Sequence, residues 1–152
     1  TLLDGEIKIR ENNDWAVNYG DDEADGTLDA GGANIVVIAG TYKVTFNAND
    51  LTYSIEAYSW GIVGSGAPNG WDGPDAAFTY DPTSDQWRVI TTLLDGEIKI
   101  RKNNDWALNY GDDGLDGTLD NGGANIVVTA GTYDIMLDFS DANAPKYTLT
   151  LK

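Results

Sequence analysis

Three of the five tryptophans stand at polar turns, Trp71, Trp106 and Trp15, the twin of Trp106. Trp71 lies in the loop Ala67-Pro68-Asn69-Gly70-Trp71-Asp72, and Trp106 follows Asn103-Asn104-Asp105. A flat indole can stack on the C–H face of a sugar ring while polar neighbours bond the ring hydroxyls. A large aromatic in a polar loop serves either as such a platform or as a lid over the core. Trp106 also fits the start of an alternating strand, Trp106-Leu108-Tyr110. Lys99 and Arg101 fall opposite Ile98 and Ile100 and could donate charge-assisted hydrogen bonds to hydroxyls. The alternative is a solvated strand face paired to carboxylates. Asn69, Asn103 and Asn104 carry amides suited to hydroxyls, and each is also a common turn former.

A second cluster is acidic. The run Asp112-Asp113-Gly114-Leu115-Asp116-Gly117-Thr118-Leu119-Asp120 has a twin at Asp21–Asp29. Closely spaced carboxylates before a glycine resemble a hard-cation loop, which makes Asp112, Asp116 and Asp120 candidate Ca²⁺ ligands. The match is incomplete. Gly114 stands where the twin has Glu23, and neither copy has a glutamate at the twelfth position. The other reading of the run is a solvated acidic turn.

Catalytic chemistry is poorly supplied. Cysteine and histidine are both absent, so no Ser-His or Cys-His pair can form and the commonest general base is missing. A glycosidase needs two carboxylates at a fixed gap across a cleft, and with 20 aspartates some pair is inevitable. The expectation is a chain that is not an enzyme. Its net charge of −16 is the wrong sign for a nucleic-acid binder or an anionic membrane surface. Neutral glycans or cations suit that charge, which also keeps a repetitive protein soluble. No run of 18 apolar residues is present to span a bilayer.

These residues sit on a duplicated frame. Residues 1–42 match 92–133 at a constant offset of 91, with 36 of 42 positions identical. The copies then drift, and the second gains three residues around Asp141–Pro145 before Tyr147 realigns with Tyr53. The segment 58–91 has one copy, between the matched stretches. One complete unit therefore spans 58–152, and 1–57 reads as the back part of a preceding unit. An isolated fragment of that kind exposes edges and half a core. Completion by another chain, by residues outside the sequence or by strand exchange are all open. The opening at Thr1, inside the pattern, reads as part of a longer product.

The dominant period is two. Glu97-Ile98-Lys99-Ile100-Arg101 alternates, as do Tyr133, Ile135 and Leu137 with Asp134, Met136 and Asp138. Trp60 and Trp87 alternate with other apolar residues and are expected in the core. Turn signals such as Asp81-Pro82-Thr83-Ser84 and Asp95-Gly96 separate the runs. About seven short strands per unit predict an all-β, immunoglobulin-like β-sandwich, with a small barrel as the alternative.

The order of motifs resembles the carbohydrate-binding domains of the starch-utilisation outer-membrane lipoproteins of Bacteroidetes, the SusE/SusF family. The matching elements are Trp60-Gly61-Ile62-Val63-Gly64, Asn69-Gly70-Trp71-Asp72, Gly96–Arg101, Asn104-Asp105-Trp106, Asn109-Tyr110-Gly111, Gly117-Thr118-Leu119, Gly122–Ile126 and Ala130–Tyr133. They cover nearly the whole complete unit. A looser likeness links the chain to starch- and glycogen-binding modules, with Trp71, Lys99 and Trp106 in the places of their two stacking tryptophans and lysine. Ile98 and Ile100 around Lys99 depart from that pattern.

The resemblance implies an immunoglobulin-like sandwich. It also implies a non-catalytic domain that binds a polysaccharide, with α-glucan favoured. The location it implies is extracellular, at the bacterial surface and outer membrane, through an anchor outside this stretch. The alternative is a structural tandem repeat, a stalk, adhesin or filament that spaces rather than binds.

Overall fold

The structure, a computed structural model, describes residues 1–152. It is all-β, with several sheets and none closed into a barrel. No helix is long and apolar enough to cross a membrane. The chain divides into two compact units, Thr1–Tyr58 and Ser59–Lys152.

Unit 1 contains β1 (Gly5–Ile7), β2 (Ile9–Arg10), β3 (Asn18–Gly20), β4 (Asp29–Ala30), β5 (Ile35–Val37), β6 (Tyr42–Asn47) and β7 (Thr52–Ala57). They form three small sheets, β1-β5, β2-β3-β4 and β6-β7. Only Leu28, Ile35 and Val37 form a buried hydrophobic cluster, with Ile7, Ile9, Tyr19, Tyr53 and Ile55 packed half-buried around it.

Unit 2 contains β8 (Trp60–Val63), β9 (Ala76–Ala77), β10 (Thr79–Asp81), β11 (Gln86–Leu93), β12 (Gly96–Lys102), β13 (Asn109–Gly111), β14 (Asp120–Asn121), β15 (Ile126–Val128), β16 (Gly131–Asp138) and β17 (Lys146–Leu151). One sheet has the order β10-β11-β16-β17. The other runs β14-β13-β12-β8-β9, with β15 also pairing β12. All named pairs are antiparallel, as a chain without crossover helices requires. The period-two pattern places Ile98, Ile100, Ile135, Leu137, Trp60 and Trp87 in the buried core.

β12 does most of the organising. Its first half pairs β15, Ile98 opposite Ile126, and its second half pairs β8, Lys102 opposite Trp60. Along that same second half it pairs β13, Ile100 opposite Tyr110. The two units differ most at the strands that follow. Ile135 and Leu137 on β16 are 0% exposed, whereas their twins on β6, Val44 and Phe46, are 48% and 43% exposed. The difference is the segment Ser59–Leu93, whose β8 and β11 pair β12 and β16. Unit 1 has no such segment.

Unit 2 has ten strands rather than about seven; five of them have only two or three residues, and two of those, β9 and β14, form where no alternation marks a strand. The expected strand from Trp106 to Tyr110 begins only at Asn109. Asn103 and Asn104 both take positive φ, 55° each, and the Asp105 carboxylate accepts the Ala107 amide at 2.8 Å, so the turn extends through Trp106.

Candidate functional site

The Trp71 loop is closed by its own asparagine. Asn69 Nδ2 donates to the Pro74 carbonyl at 2.7 Å, tying the two ends of the segment that carries Trp71. The Trp106 turn then grips the same loop from the other side, as Asn104 Oδ1 accepts the Asp75 amide at 3.2 Å. Together these bonds set the two indoles side by side, with ring centroids 6.0 Å apart and planes 33° from parallel. Trp71 is 36% exposed and Trp106 45%, large fractions for indoles, so the pair presents a continuous apolar surface to water.

Beneath the pair sits a charge. The Arg101 guanidinium lies 4.7 Å from the Trp106 ring centroid, a cation–π contact that braces the indole. Arg101 is itself gripped by Asp75, Nε at 2.8 Å to Oδ2 and Nη2 at 2.7 Å to Oδ1. Both side chains are almost wholly buried. The Asp75 hydrogen bond outweighs burial and raises the Arg101 pKa above its ordinary value. Gly61 makes room for this arrangement, since a Cβ there would stand 2.4 Å from Asp75 Cβ.

Arg101 is therefore not the solvated donor that strand alternation suggested. The face of β12 opposite the core is covered at this point by the Trp71 loop and the Trp106 turn, and the guanidinium fork is spent on Asp75. Lys99, half-buried, donates to Asn109 Oδ1 at 2.8 Å, and Asn109 Nδ2 donates to the Trp106 carbonyl at 3.0 Å. Lys99 thus positions the Trp106 turn through Asn109. Asn103 caps the start of the unit, its Oδ1 accepting the Ser59 amide at 2.8 Å. The expected ligand set separates into two exposed platforms, Trp71 and Trp106, and four residues that hold them, Asn69, Asn104, Lys99 and Arg101.

Asp75 and Asn109 complete the site and were not singled out from the sequence. Asp75 carried one usable signal, an aspartate in the same Pro/Gly loop as Trp71 within a chain of few cations. Asn109 carried none beyond its place in the repeated Asn-Tyr-Gly run.

Unit 1 is an internal control. Arg10 lies over Trp15 at 4.6 Å, and Lys8 bonds Asn18, which bonds the Trp15 carbonyl, as in unit 2. No counterpart of Trp71 or Asp75 is present in unit 1. Arg10 is exposed and reaches only the neighbouring Asn13, through its carbonyl at 3.2 Å and its side chain at 3.5 Å.

The carboxylates of the acidic loop are turned to its own backbone. Asp112 is buried, and its carboxylate accepts the amides of Gly114 at 3.0 Å, Asp116 at 3.2 Å and Gly117 at 2.9 Å, with the Tyr147 hydroxyl at 2.9 Å. Asp116 turns to the Thr118 amide and Asp120 to the Asp113 amide, both at 2.8 Å. Asp112, Asp116 and Asp120 each cap backbone, and no group of three or more acidic side chains converges as a metal site. Burial pushes the Asp112 carboxyl up, but the Gly117 amide, the Tyr147 hydroxyl and the neighbouring amides together hold it below its ordinary value. Burial and the facing carboxylate raise the Tyr147 hydroxyl.

No protein-family model matches the chain, and no curated protein matches it.

Proposed function

We propose that unit 2 is a non-catalytic glycan-binding module whose platform is the Trp71–Trp106 pair. The observation that carries this reading is a pair of exposed indoles on neighbouring loops, 6.0 Å apart and tilted by 33°, over a buried ion pair. Two tilted planes make a shallow curve that suits a sugar chain better than a single flat ring. The interlocked bonds of Asn69, Asn104 and Arg101 fix the curve before ligand arrives, which lowers the ordering cost of binding.

The resemblance to the outer-membrane starch-binding lipoproteins favours an α-glucan, an immunoglobulin-like strand order and a bacterial-surface location. The looser likeness to starch- and glycogen-binding modules casts the Trp71 and Trp106 turns as the sugar-contacting loops. Affinity gel electrophoresis against α-glucan, β-glucan and an unrelated polysaccharide tests the class of ligand. Retardation in the α-glucan gel supports the proposal, and equal mobility in every gel refutes it.

A structural tandem repeat is the second reading, favoured by the 36 identities in 42 positions between the copies. It requires no ligand at the Trp71–Trp106 pair or at Trp15, so the same gels separate the two readings.

A further inference from the structure

Unit 1 carries a groove of about 550 Å³ lined by Ile9, Tyr19, Phe46, Ala48 and Leu51, with Arg10–Asn12 at its rim. The repeat identifies what such a groove holds. At the offset of 91, Ile9, Tyr19, Phe46 and Ala48 correspond to Ile100, Tyr110, Leu137 and Phe139. In unit 2 that place is filled by Trp60, buried, paired with Lys102 at the end of β12, stacked on Phe139 at 4.5 Å and packed against Tyr110 at 5.6 Å. Ala48 in place of Phe139 widens the unit 1 version.

The strand edges around the groove agree with its shape. β12 pairs β8 from Lys99 to Lys102, whereas the matching Lys8–Glu11 stretch pairs only β3 on its other edge. β16 pairs both β11 and β17, whereas β6 pairs only β7. The last two residues of a β11-type strand are already in place in unit 1. Leu2 exchanges both backbone bonds with Gly40, at 2.7 and 3.0 Å, where Leu93 stands opposite Gly131. Thr1 Oγ1 meets Thr41 Oγ1 at 3.2 Å, as Thr92 meets Thr132 at 3.0 Å.

We propose that unit 1 is the acceptor for a donor segment of the Ser59–Thr91 type that runs into Thr1, adds a β8-like strand to β2 and a β11-like strand to β6, and seats an indole in the groove. Recognition is by strand addition, with the backbone edges giving affinity and the indole pocket giving register. The chain's own Ser59–Thr91 is excluded by connectivity. Tyr58 is bonded to Thr41, at the end of β6 where the donor finishes, whereas the indole must enter at the Glu11 end. In unit 2 those ends are separated by the length of Trp60–Gly66, about 20 Å at about 3.3 Å per residue. Ser59 alone joins Tyr58 to Trp60, a reach of about 7 Å.

The test repeats residues 59–91 ahead of Thr1 in the otherwise intact chain. Hydrogen exchange of the β6 amides is expected to slow by about 100-fold or more relative to the parent chain. Trp60→Ala in the added copy alone should abolish most of that gain. The parent chain lacks cysteine, so Val63→Cys in the added copy with Lys8→Cys gives a second readout. Val63 and Lys99 are directly opposed in unit 2, and the new pair should oxidise to a disulfide spontaneously. An added copy that exchanges as an unfolded tail with β6 unchanged overturns the proposal, as does a reduced pair under oxidising conditions. A parent chain that sediments as a dimer with β6 already protected also overturns it and assigns the groove to a second copy.

Discussion

The same arginine and tryptophan occur twice in this chain, and the environment decides what each arginine does. Arg101 is buried in a two-point ion pair with Asp75, and Arg10 is exposed and reaches only its own turn. Removing one partner of a buried pair leaves an uncompensated charge, so Asp75→Ala is expected to destabilise unit 2 by about 3–5 kcal/mol. Arg10→Ala should change stability by less than about 0.5 kcal/mol, the range for surface substitutions. Urea unfolding of the two variants checks both figures. The exposure of Trp71 and Trp106 settles one choice that the sequence left open, since an indole in a polar turn could equally have been a lid over the core. Arg101 was left between a ligand and a carboxylate partner because strand alternation names the two faces of β12 but not what covers them. The cover, Asp75 and the Trp71 loop, comes from 26 or more residues away in sequence, and no periodicity reports that contact.

At the scale of elements, the acidic loop acts as a clasp. Asp112 gathers three amides of its own loop and ties them to β17 through the Tyr147 hydroxyl. Asp21 and Tyr53 repeat the device at 2.8 Å, with the Tyr53 hydroxyl pushed up to about 12, chiefly by burial and then by Asp21. Tyr147→Phe removes one bond to a charged acceptor and should cost about 1.5 kcal/mol. The lowered Asp112 pKa adds stability that is fully present above the unfolded carboxylate value of about 3.9 and is lost as pH falls through the folded value. The raised tyrosines work at the other end. Their contribution is full below about 10 and is lost as pH rises through their folded values. Thermal unfolding across pH should therefore weaken at both extremes, with Tyr147→Phe removing the part of the alkaline loss that arises in unit 2. Carboxylate spacing alone suggested a cation site because it shows proximity and not direction. The backbone amides that claim each oxygen depend on the fold of the loop. The long strands were plain from alternation at Ile98/Ile100 and Ile135/Leu137, whereas strands as short as β9 and β14 leave too few residues for a period to register.

At the scale of the whole molecule, two nearly identical stretches reach different degrees of completion. Unit 1 buries three hydrophobic residues in its cluster and leaves Val44 and Phe46 in water. Apolar burial is the main favourable term in folding, so unit 1 is expected to open at lower denaturant than unit 2. Hydrogen exchange at increasing urea should show the amides of 1–58 losing protection before those of 59–152. The duplication itself was the clearest signal in the sequence. What it could not reveal is that the single-copy segment supplies three things at once: two strands to each sheet of unit 2, the ion-pair partner of Arg101, and one half of the tryptophan pair.

That last contribution makes the binding proposal sharp, because this chain carries one Trp71–Trp106 pair and, at Trp15, one unpartnered twin. Calorimetric titration with a linear α-glucan oligosaccharide compares wild type, Trp71→Ala, Trp106→Ala and Trp15→Ala. The expected result is one site per chain, lost by at least about tenfold in affinity, or about 1.4 kcal/mol, in either of the first two variants and unchanged in the third. Binding that survives loss of both Trp71 and Trp106, or that depends equally on Trp15, would contradict a glycan platform built from the two indoles.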